Sequence, residues 1–346
     1  MATIPLGCHA RNIVVSPDGD HIYATTAKSV DVIDRAHRVV ASIPVDVEPK
    51  RTLVSPDGSR VYVIGDSGSI SIINAVDYTV RTVARDASTA EVVSPDDNYV
   101  YLAHNQGRNC WVSAMSDDGT TATAVPVDSY ASALTLSPDG GRLYVASSSP
   151  RSTHQRLRGS ISVIDTATFT LIDVIPMRFS PDTIVVSPDG STVYATHYNN
   201  NAVSAIEIAS RSHTLIGLDN APIDVAVSPD GDQLYVTNLH SLALIDTATN
   251  VAESVPIGDL PRHLHISGDG KQSYVTDFDR HSVWVLDPVN KTIINTVDLD
   301  RNSEAVALSA DEEFVYVADY LAPRSRSSRS PHPSAARTEP VDHRSP

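Results

Sequence analysis

One short motif recurs along the chain and constrains the fold more than any other feature. Ser-Pro-Asp-Gly, or a close variant, begins at eight positions, here called the anchor serines: Ser16, Ser55, Ser94, Ser137, Ser187, Ser228, Ser267 and Ser309. Consecutive anchor serines are 39, 39, 43, 50, 41, 39 and 42 residues apart. A tyrosine follows each by seven residues, giving the repeat tyrosines Tyr23, Tyr62, Tyr101, Tyr144, Tyr194, Tyr235, Tyr274 and Tyr316. A period of about 40 residues indicates a stacked repeat architecture.

Each unit is typical of four short strands, called A to D, separated by polar turns. In the sixth unit the four strands are predicted at 224–228, 233–237, 242–246 and 252–257. The Pro-Asp-Gly segment between A and B favours a tight turn, because proline fixes φ and glycine accepts a positive φ. Four-stranded units of this length are the blades of propellers. The sequence therefore predicts an all-β fold, a β-propeller of four-stranded antiparallel blades.

Prolines indicate which strand lies at the edge of each blade. A proline stands 11 residues before an anchor serine at Pro44, Pro126, Pro176 and Pro256, within strand D. Proline cannot donate to a β-ladder, so strand D is expected at the outer edge. Pro5 has the same spacing before Ser16, so the chain opens with a D strand. The last unit supplies only strands A and B. We favour eight blades, seven complete and one closed by the N-terminal strand, with seven blades as the alternative.

The C-terminal segment differs in composition from the repeats. Residues 321–346 contain six serines, five prolines and five arginines. They include no candidate for strand C, and such a composition is typical of disorder. We expect a single β-propeller domain at 1–320 and a disordered tail at 321–346.

Charge excludes several classes of partner. The net charge is −16 at pH 7, which argues against nucleic-acid binding and against an anionic membrane surface. No apolar run is long enough for a membrane span.

No signal peptide is visible at the start, so the sequence as it stands favours a cytoplasmic location, with export to the envelope as the alternative if the true start lies upstream. Two cysteines, Cys8 and Cys110, are too few for a disulfide framework. We expect a monomer.

The repeat resembles the YVTN family of bacterial and archaeal β-propeller proteins. The family's name-giving string occurs as Tyr235-Val236-Thr237-Asn238, and Tyr274-Val275-Thr276-Asp277 differs from it by one residue. Two further family segments match at 163–168 and 187–190. The resemblance covers about residues 2–320. It implies a propeller related to surface or secreted proteins, and also to lactone-hydrolysing enzymes and haem-containing nitrite reductases.

Strand alternation suggests a channel lining. Positions one and three before each anchor serine are nearly all aliphatic and are expected to pack between blades. Positions two and four, here called the even positions, are then expected to face the central channel. Their polar members are Asn12, Arg51, Asp224, His263 and His265.

The loops that join D to A and B to C are expected on one face of the propeller, here called the loop face. They bring Arg262, His104 and His197 to it, with further cations at Arg11, Lys50, Arg178 and Arg301 and a long insertion at 148–159. We predict a ligand-binding site at this basic, histidine-containing mouth, for an unknown protein, peptide, glycan or anionic small molecule.

The two channel histidines could also form part of a metal site. His263 and His265 with Asp224 are candidate ligands, although such a pair is more often a hydrated lining. The aspartates of the Ser-Pro-Asp-Gly turns are attributed to turn chemistry. No haem-attachment, nucleophile-elbow, phosphate-loop or dinucleotide motif occurs, so we expect no cofactor.

Two functions from different classes fit these patterns. The first is a non-enzymatic binding or scaffold propeller that uses the loop face. The alternative is a small-molecule hydrolase or lyase of lactonase type at the channel mouth. A redox propeller that holds haem or a quinone is a third and weaker hypothesis.

Overall fold

A computed structural model describes residues 2–6, 10–66, 68–84, 86–107, 109–116, 119–148, 159–299, 302–309, 311–320 and 335–340. Their regular structure is β-strand apart from one short 3₁₀ turn, Tyr198–Asn200. The chain divides into two compact units. The first comprises Met1–Arg85 and Gly258–Pro346, and the second comprises Asp86–Ile257.

The second unit contains four blades, each a four-stranded antiparallel sheet of consecutive strands. Blade III consists of β10 (Ser88–Val93), β11 (Tyr99–Gln106), β12 (Asn109–Ser116) and β13 (Thr121–Val127). Blade IV consists of β14 (Tyr130–Leu136), β15 (Arg142–Ser148), β16 (Gly159–Asp165) and β17 (Thr170–Met177). Blade V consists of β18 (Ile184–Val186), β19 (Thr192–His197), β20 (Ala202–Glu207) and β21 (His213–Gly217). Blade VI consists of β22 (Pro222–Val227), β23 (Gln233–Asn238), β24 (Ser241–Asp246) and β25 (Val251–Pro256).

The first unit contains three further blades of the same kind. Blade I consists of β2 (Asn12–Val15), β3 (His21–Thr25), β4 (Ser29–Asp34) and β5 (Val39–Pro44). Blade II consists of β6 (Pro49–Val54), β7 (Arg60–Gly65), β8 (Ile70–Asn74) and β9 (Val80–Val83). Blade VII consists of β26 (Pro261–Ile266), β27 (Ser273–Asp277), β28 (Ser282–Asp287) and β29 (Thr292–Asp298).

One more four-stranded sheet in the first unit, the composite sheet, combines both ends of the chain. It consists of β30 (Asn302–Leu308), β31 (Phe314–Tyr320), β32 (Ala335–Pro340) and β1 (Ala2–Pro5). The prediction that the opening strand joins the last two repeat strands in one sheet is confirmed. The prediction that 321–346 holds no strand C is wrong, because β32 lies between β31 and β1. Its sequence, AARTEP, has little β-propensity, and pairing on both sides compensates for this. The remaining tail residues lie outside the described part of the chain.

The anchor serines organise the turn between strands A and B. In blade I, the Ser16 hydroxyl donates to Asp18 Oδ1 (2.6 Å) and accepts from the backbone N–H of His21 (2.9 Å). Asp18 Oδ1 also accepts from the backbone N–H of Asp20. The same three bonds recur at the other seven anchors, with each serine hydroxyl buried. The turn aspartates therefore act locally, as the sequence predicted.

These bonds also shift the titration of the turn aspartates. Hydrogen bonding to the serine hydroxyl and to backbone N–H groups holds the pKa below its usual value at Asp18, Asp57, Asp96, Asp139, Asp189, Asp230 and Asp311. For Asp269 the bond from the Lys271 backbone is the largest cause, and the pKa falls to about 2. Hydrogen bonds to the ionised form favour it, so these carboxylates stay charged at neutral pH.

The repeat tyrosines form the packing layer between blades. All eight are at most 4 % exposed. Within the second unit, Tyr144 of blade IV packs with Ile184 and Val193 of blade V. Tyr101 of blade III stacks on Phe169 of blade IV at a centroid distance of 6.0 Å. Within the first unit, Tyr23 packs with Val61 and Val63 of blade II. The period in the sequence is thus the period of blade-to-blade packing.

Strand D lies at the edge of each of the seven blades, as the prolines predicted. It pairs only with strand C, and its prolines Pro44, Pro126, Pro176 and Pro256 are exposed. Such residues discourage edge-to-edge association. Across the described residues, no helix is long and apolar enough to cross a membrane.

Candidate functional site

The even positions of strand A do not form a uniform channel lining. In the second unit, Ala90 and Val92 of blade III pack in one core cluster with Leu134 and Leu136 of blade IV. In the first unit, Val14 of blade I packs with blade II. The expectation that even positions turn away from the blade core is therefore wrong at these sites. The reason is geometric: within a unit, strands A of adjacent blades contact each other, so both faces of the strand are covered.

Blade VII is the exception among the even positions. His263 and His265 are both exposed, and Arg51 of blade II is the one other exposed even position. Asn12, in blade I, is half-buried. Blade VII thus has two solvent-exposed imidazoles at the even positions of its strand A. In blades III to VI the same positions carry small, aliphatic or hydroxyl side chains, apart from the half-buried Asp224. A change of chemistry at a fixed scaffold position is typical of a site grafted onto a fold.

The imidazole of His265 contacts solvent on one side and is partly surrounded by protein on the other. Desolvation lowers its pKa from 6.5, and the Glu312 carboxylate opposes that shift. The ring is therefore neutral at pH 7 and presents one donor and one acceptor. The backbone N–H of His263 donates to Thr276 Oγ1 (3.1 Å), which ties strand A to strand B. The two histidines therefore stand on a fixed strand.

Arg262 precedes these histidines and adds a fixed positive charge. Its Cζ lies 5.5 Å from the ring centroid of Phe278, which follows strand B of the same blade. A guanidinium over an aromatic face is held in place while its edge remains able to bind a carboxylate or phosphate. Buried Asp277 accepts from the backbone N–H groups of Asp259 and Arg280 and so fixes both loops. Blade VII therefore carries a preorganised cationic group beside two imidazoles.

The second unit places its candidate residues differently. His104 is 3 % exposed and His197 is fully buried. Their Nε2 atoms lie 2.8 Å from the hydroxyls of Ser113 and Ser204, respectively. Desolvation lowers the pKa of both rings. Asp224 Oδ1 accepts from the backbone N–H of Val225. These histidines bond within the protein, and the proposals below use no contact of a ligand with them.

The loop arginines have partners of two kinds. Arg11 contacts Glu48 (3.3 Å) and the carbonyl of Pro49. Arg178, by contrast, lies over the ring of Phe179, at 5.2 Å from the centroid. Arg301 and residues 149–158 of the predicted insertion lie outside the described residues. The basic character expected of the loop face is therefore partly neutralised at Arg11 and retained at exposed Arg178 and Arg262.

Metal binding finds no support in the geometry. No group of three or more His, Cys, Asp or Glu side chains that could hold a metal ion occurs in the part of the chain that is described. We therefore do not propose a metal site built from His263, His265 and Asp224.

Aromatic residues of the loop face are the feature that sequence reasoning missed. Phe179 and Phe278 support the two arginines, and Tyr130 and Tyr198 are 46 % and 42 % exposed. All four fall in or beside D–A and B–C loops. A signal was present, because Tyr130 and Tyr198 do not belong to the repeat positions that the other blades share.

Comparisons with known proteins bear on the fold. No protein-family model and no curated protein matches the chain. Chains of solved structures that match number 1635, which shows how widespread the fold is. One is Kuenenia stuttgartiensis hydrazine synthase, with a TM-score of 0.64, 24 % identity, and coverage of 81 % of this chain and 95 % of that chain. Likeness at this identity concerns the fold alone. Together with the repeated four-stranded sheets, it identifies this chain as a β-propeller.

Proposed function

We propose that this protein is a binding β-propeller whose blade VII engages an anionic ligand at the loop face. The single observation that carries the proposal is that Arg262, His263 and His265 are all exposed within the run Arg262-His263-Leu264-His265 on strand A. Only Leu264 of these four residues has the aliphatic side chain that most strand A positions carry. Arg51 and Asn12, on strands A of blades II and I in the same unit, are the further polar residues of this proposed surface.

The chemistry of the three side chains favours an anion. The guanidinium of Arg262 can donate two parallel hydrogen bonds to a carboxylate or phosphate. Neutral His265 can donate one hydrogen bond, and its protonation adds a second positive charge. The rest of the protein is strongly acidic and repels anions. A local positive site of this kind attracts them to one place on the surface.

Calorimetric titration with citrate, pyrophosphate and inorganic phosphate tests the proposal. We expect binding of at least one anion to be lost in Arg262→Gln and in His263→Gln/His265→Gln. Binding should strengthen as the pH falls below 6.5, since the lowered pKa of His265 delays its protonation to that range. The matched control is Lys271→Gln, which removes an exposed cation from the A–B turn of the same blade. Equal binding by all variants, or binding of none of the three anions, would overturn the proposal.

Relationship to the YVTN family is a second part of the proposal. The Tyr235–Asn238 string lies in β23, and the repeat tyrosines and turns occupy equivalent places in every repeat. We expect a profile built from these eight repeats to match YVTN repeats along their full length. A match confined to the Ser-Pro-Asp-Gly turn would contradict membership.

A lactonase-type hydrolase is the alternative function, and one observation favours it. The neutral, solvent-facing imidazole of His265 is able to accept a proton from water. Hydrolysis of a panel of γ- and δ-lactones, measured by pH-stat, separates the two functions. Turnover that disappears in His265→Gln would establish the hydrolase, whereas anion binding without turnover would leave the binding function.

A further inference from the structure

Blades IV and V carry a second exposed surface in the second unit. Its members, here called the IV–V aromatic patch, are three aromatic residues and one arginine from the loop ends of the strands: Tyr130, Arg178, Phe179 and Tyr198. Tyr130 is 46 % exposed and Tyr198 is 42 % exposed. Arg178 is exposed and Phe179 half-buried. None of these residues belongs to the blade VII surface.

The residues of the patch are linked to one another through the strands and loops of the two blades. Tyr130 pairs with Ser148, which in turn pairs with Gly159 in the same sheet. A Cβ placed on Gly159 would lie 3.0 Å from the carbonyl oxygen of Phe179. The ring of Phe179 meets the ring of His197 edge to face, with centroids 5.6 Å apart, and Tyr198 follows directly in the chain.

The loop that carries Arg178 and Phe179 is held rigidly. Pro181 O accepts from the hydroxyl of Ser132 (2.9 Å). The buried ring of His197 donates from Nδ1 to Ser180 O (3.0 Å). The backbone N–H of Tyr198 donates to Asp182 Oδ2 (2.7 Å). These bonds attach the D–A loop to blades IV and V, so the patch is ordered before any partner binds and loses little entropy on binding.

Glycine at position 159 permits this close packing. A Cβ on Gly159 would lie 2.3 Å from Pro181 Cδ and 2.8 Å from Ser147 O. The loop therefore rests directly on the backbone of strand C of blade IV.

The chemistry of the patch favours a peptide segment that joins an apolar side chain to a carboxylate. Among the described residues, Arg178 forms no salt bridge, and its guanidinium stacks on Phe179. Asp182, the carboxylate of the same loop, accepts from the backbone N–H of Tyr198. Exposed tyrosine, phenylalanine and arginine are the side chains most enriched at the centres of protein interfaces. The net charge of −16 disfavours nucleic acid, which would also stack on such rings.

We propose that the IV–V aromatic patch binds a peptide segment of a partner protein in which an acidic residue stands beside an aromatic or aliphatic residue. Arg178 binds the carboxylate, and the three rings contact the apolar side chain. Buried His197 holds the loop and does not contact the peptide. This surface is independent of the anion site proposed for blade VII.

The test uses an array of acetylated and amidated hexapeptides in which Phe, Trp or Leu stands beside Asp or Glu. Parallel sets replace the acidic residue by Asn or by Lys. Fluorescence polarisation with the full chain should select the acidic set. We expect about 10-fold weaker binding for Arg178→Ala, and a similar loss for Phe179→Ala and Tyr198→Ala.

A charge reversal gives a positive signal that misfolding cannot imitate. Arg178→Glu should shift the preference from acidic to Lys-containing peptides. Arg211→Ala, at an exposed arginine in the C–D turn of blade V, is the matched control and should leave binding unchanged. Arg262→Gln should also leave it unchanged, which separates this surface from blade VII. Equal binding of all three sets, an unchanged preference in Arg178→Glu, or an equal loss in Arg211→Ala would overturn the proposal.

Discussion

The two ends of the blades of this propeller differ in how strictly the repeat is kept. At the A–B turns, eight serines make the same hydrogen bonds to an aspartate and to the backbone five residues on. At the loop face, the residue ten positions after the anchor is Thr26, Gly65, His104, Ser147, His197, Asn238, Asp277 or Asp319. Bonding is therefore uniform at one end of the blades, whereas the side-chain chemistry varies at the other, where the proposed sites lie.

Three of the variable residues at the loop face make a similar contact. The hydroxyl of Thr26, the ring of His104 and the amide of Asn238 each contact a serine on strand C of their own blade. At these three positions the side chain differs while a polar contact with strand C is kept.

The largest expected effect distinguishes a repeat tyrosine from a loop-face tyrosine. Tyr144→Ala removes a fully packed ring between blades IV and V and should lower the free energy of unfolding by about 3–5 kcal/mol. Tyr198→Ala, at a half-exposed site, should change it by less than about 0.5 kcal/mol. Urea denaturation followed by circular dichroism measures both. Similar losses for the two variants would remove the distinction between the two ends.

The anchor serine should come next in size. In blade V, the hydroxyl of Ser187 donates to Asp189 Oδ1 (2.5 Å) and accepts from the Thr192 backbone (2.9 Å). Ser187→Ala removes the buried hydroxyl that links the two groups, leaves the Thr192 N–H without this acceptor, and should cost about 1–3 kcal/mol. Ser191→Ala, in the same turn but exposed, is the control, and its effect in denaturation should be much smaller. A neutral Ser187→Ala would show that the turn forms without its serine.

Strong acid should destabilise the A–B turn end of the blades. The folded-state pKa values of the turn aspartates lie below 3.8, so their contribution to stability is complete above that pH. It should be lost as the pH falls from about 4 through the folded-state values, to about 2 for Asp269. Thermal unfolding measured between pH 5 and pH 2 should show this decline, and Asp189→Asn should make it shallower. Stability that is flat across this range would contradict the bonding described.

Mild acid should have a smaller effect on stability, to which the buried loop-face histidines contribute. Desolvation lowers the pKa of His104 and His197 from 6.5, so the folded state favours the neutral rings. Stability present above pH 6.5 should decrease as the pH falls through the lowered values. The Tm measured from pH 7.5 to pH 4.5 should fall less steeply in His197→Gln. An identical slope in that variant would show that His197 does not supply the effect.

Much of the architecture could be predicted from the sequence because it depends on local and periodic signals. The spacing of Ser16 and its counterparts fixes the blade period, and Pro-Asp-Gly fixes the turn. Proline in strand D fixes the edge. The opening strand could be assigned to the last sheet from Pro5 alone. The strand Ala335–Pro340 could not, because its composition is that of a flexible tail and only its two neighbours in the sheet make it a strand.

The candidate site divides in the same way. The sequence by itself singled out Arg262, His263 and His265, since polar residues on strand A interrupt an aliphatic pattern. It could not decide that His104 and His197 are buried while His263 and His265 are exposed, because a position in the repeat does not give the burial of the side chain. Only the tertiary structure settled this, because the rings of His104 and His197 are enclosed and bonded to Ser113 and Ser204 while those of His263 and His265 keep contact with solvent. Long-range contacts also decided that Phe179 supports Arg178, since burial and stacking depend on neighbours that the local sequence does not encode.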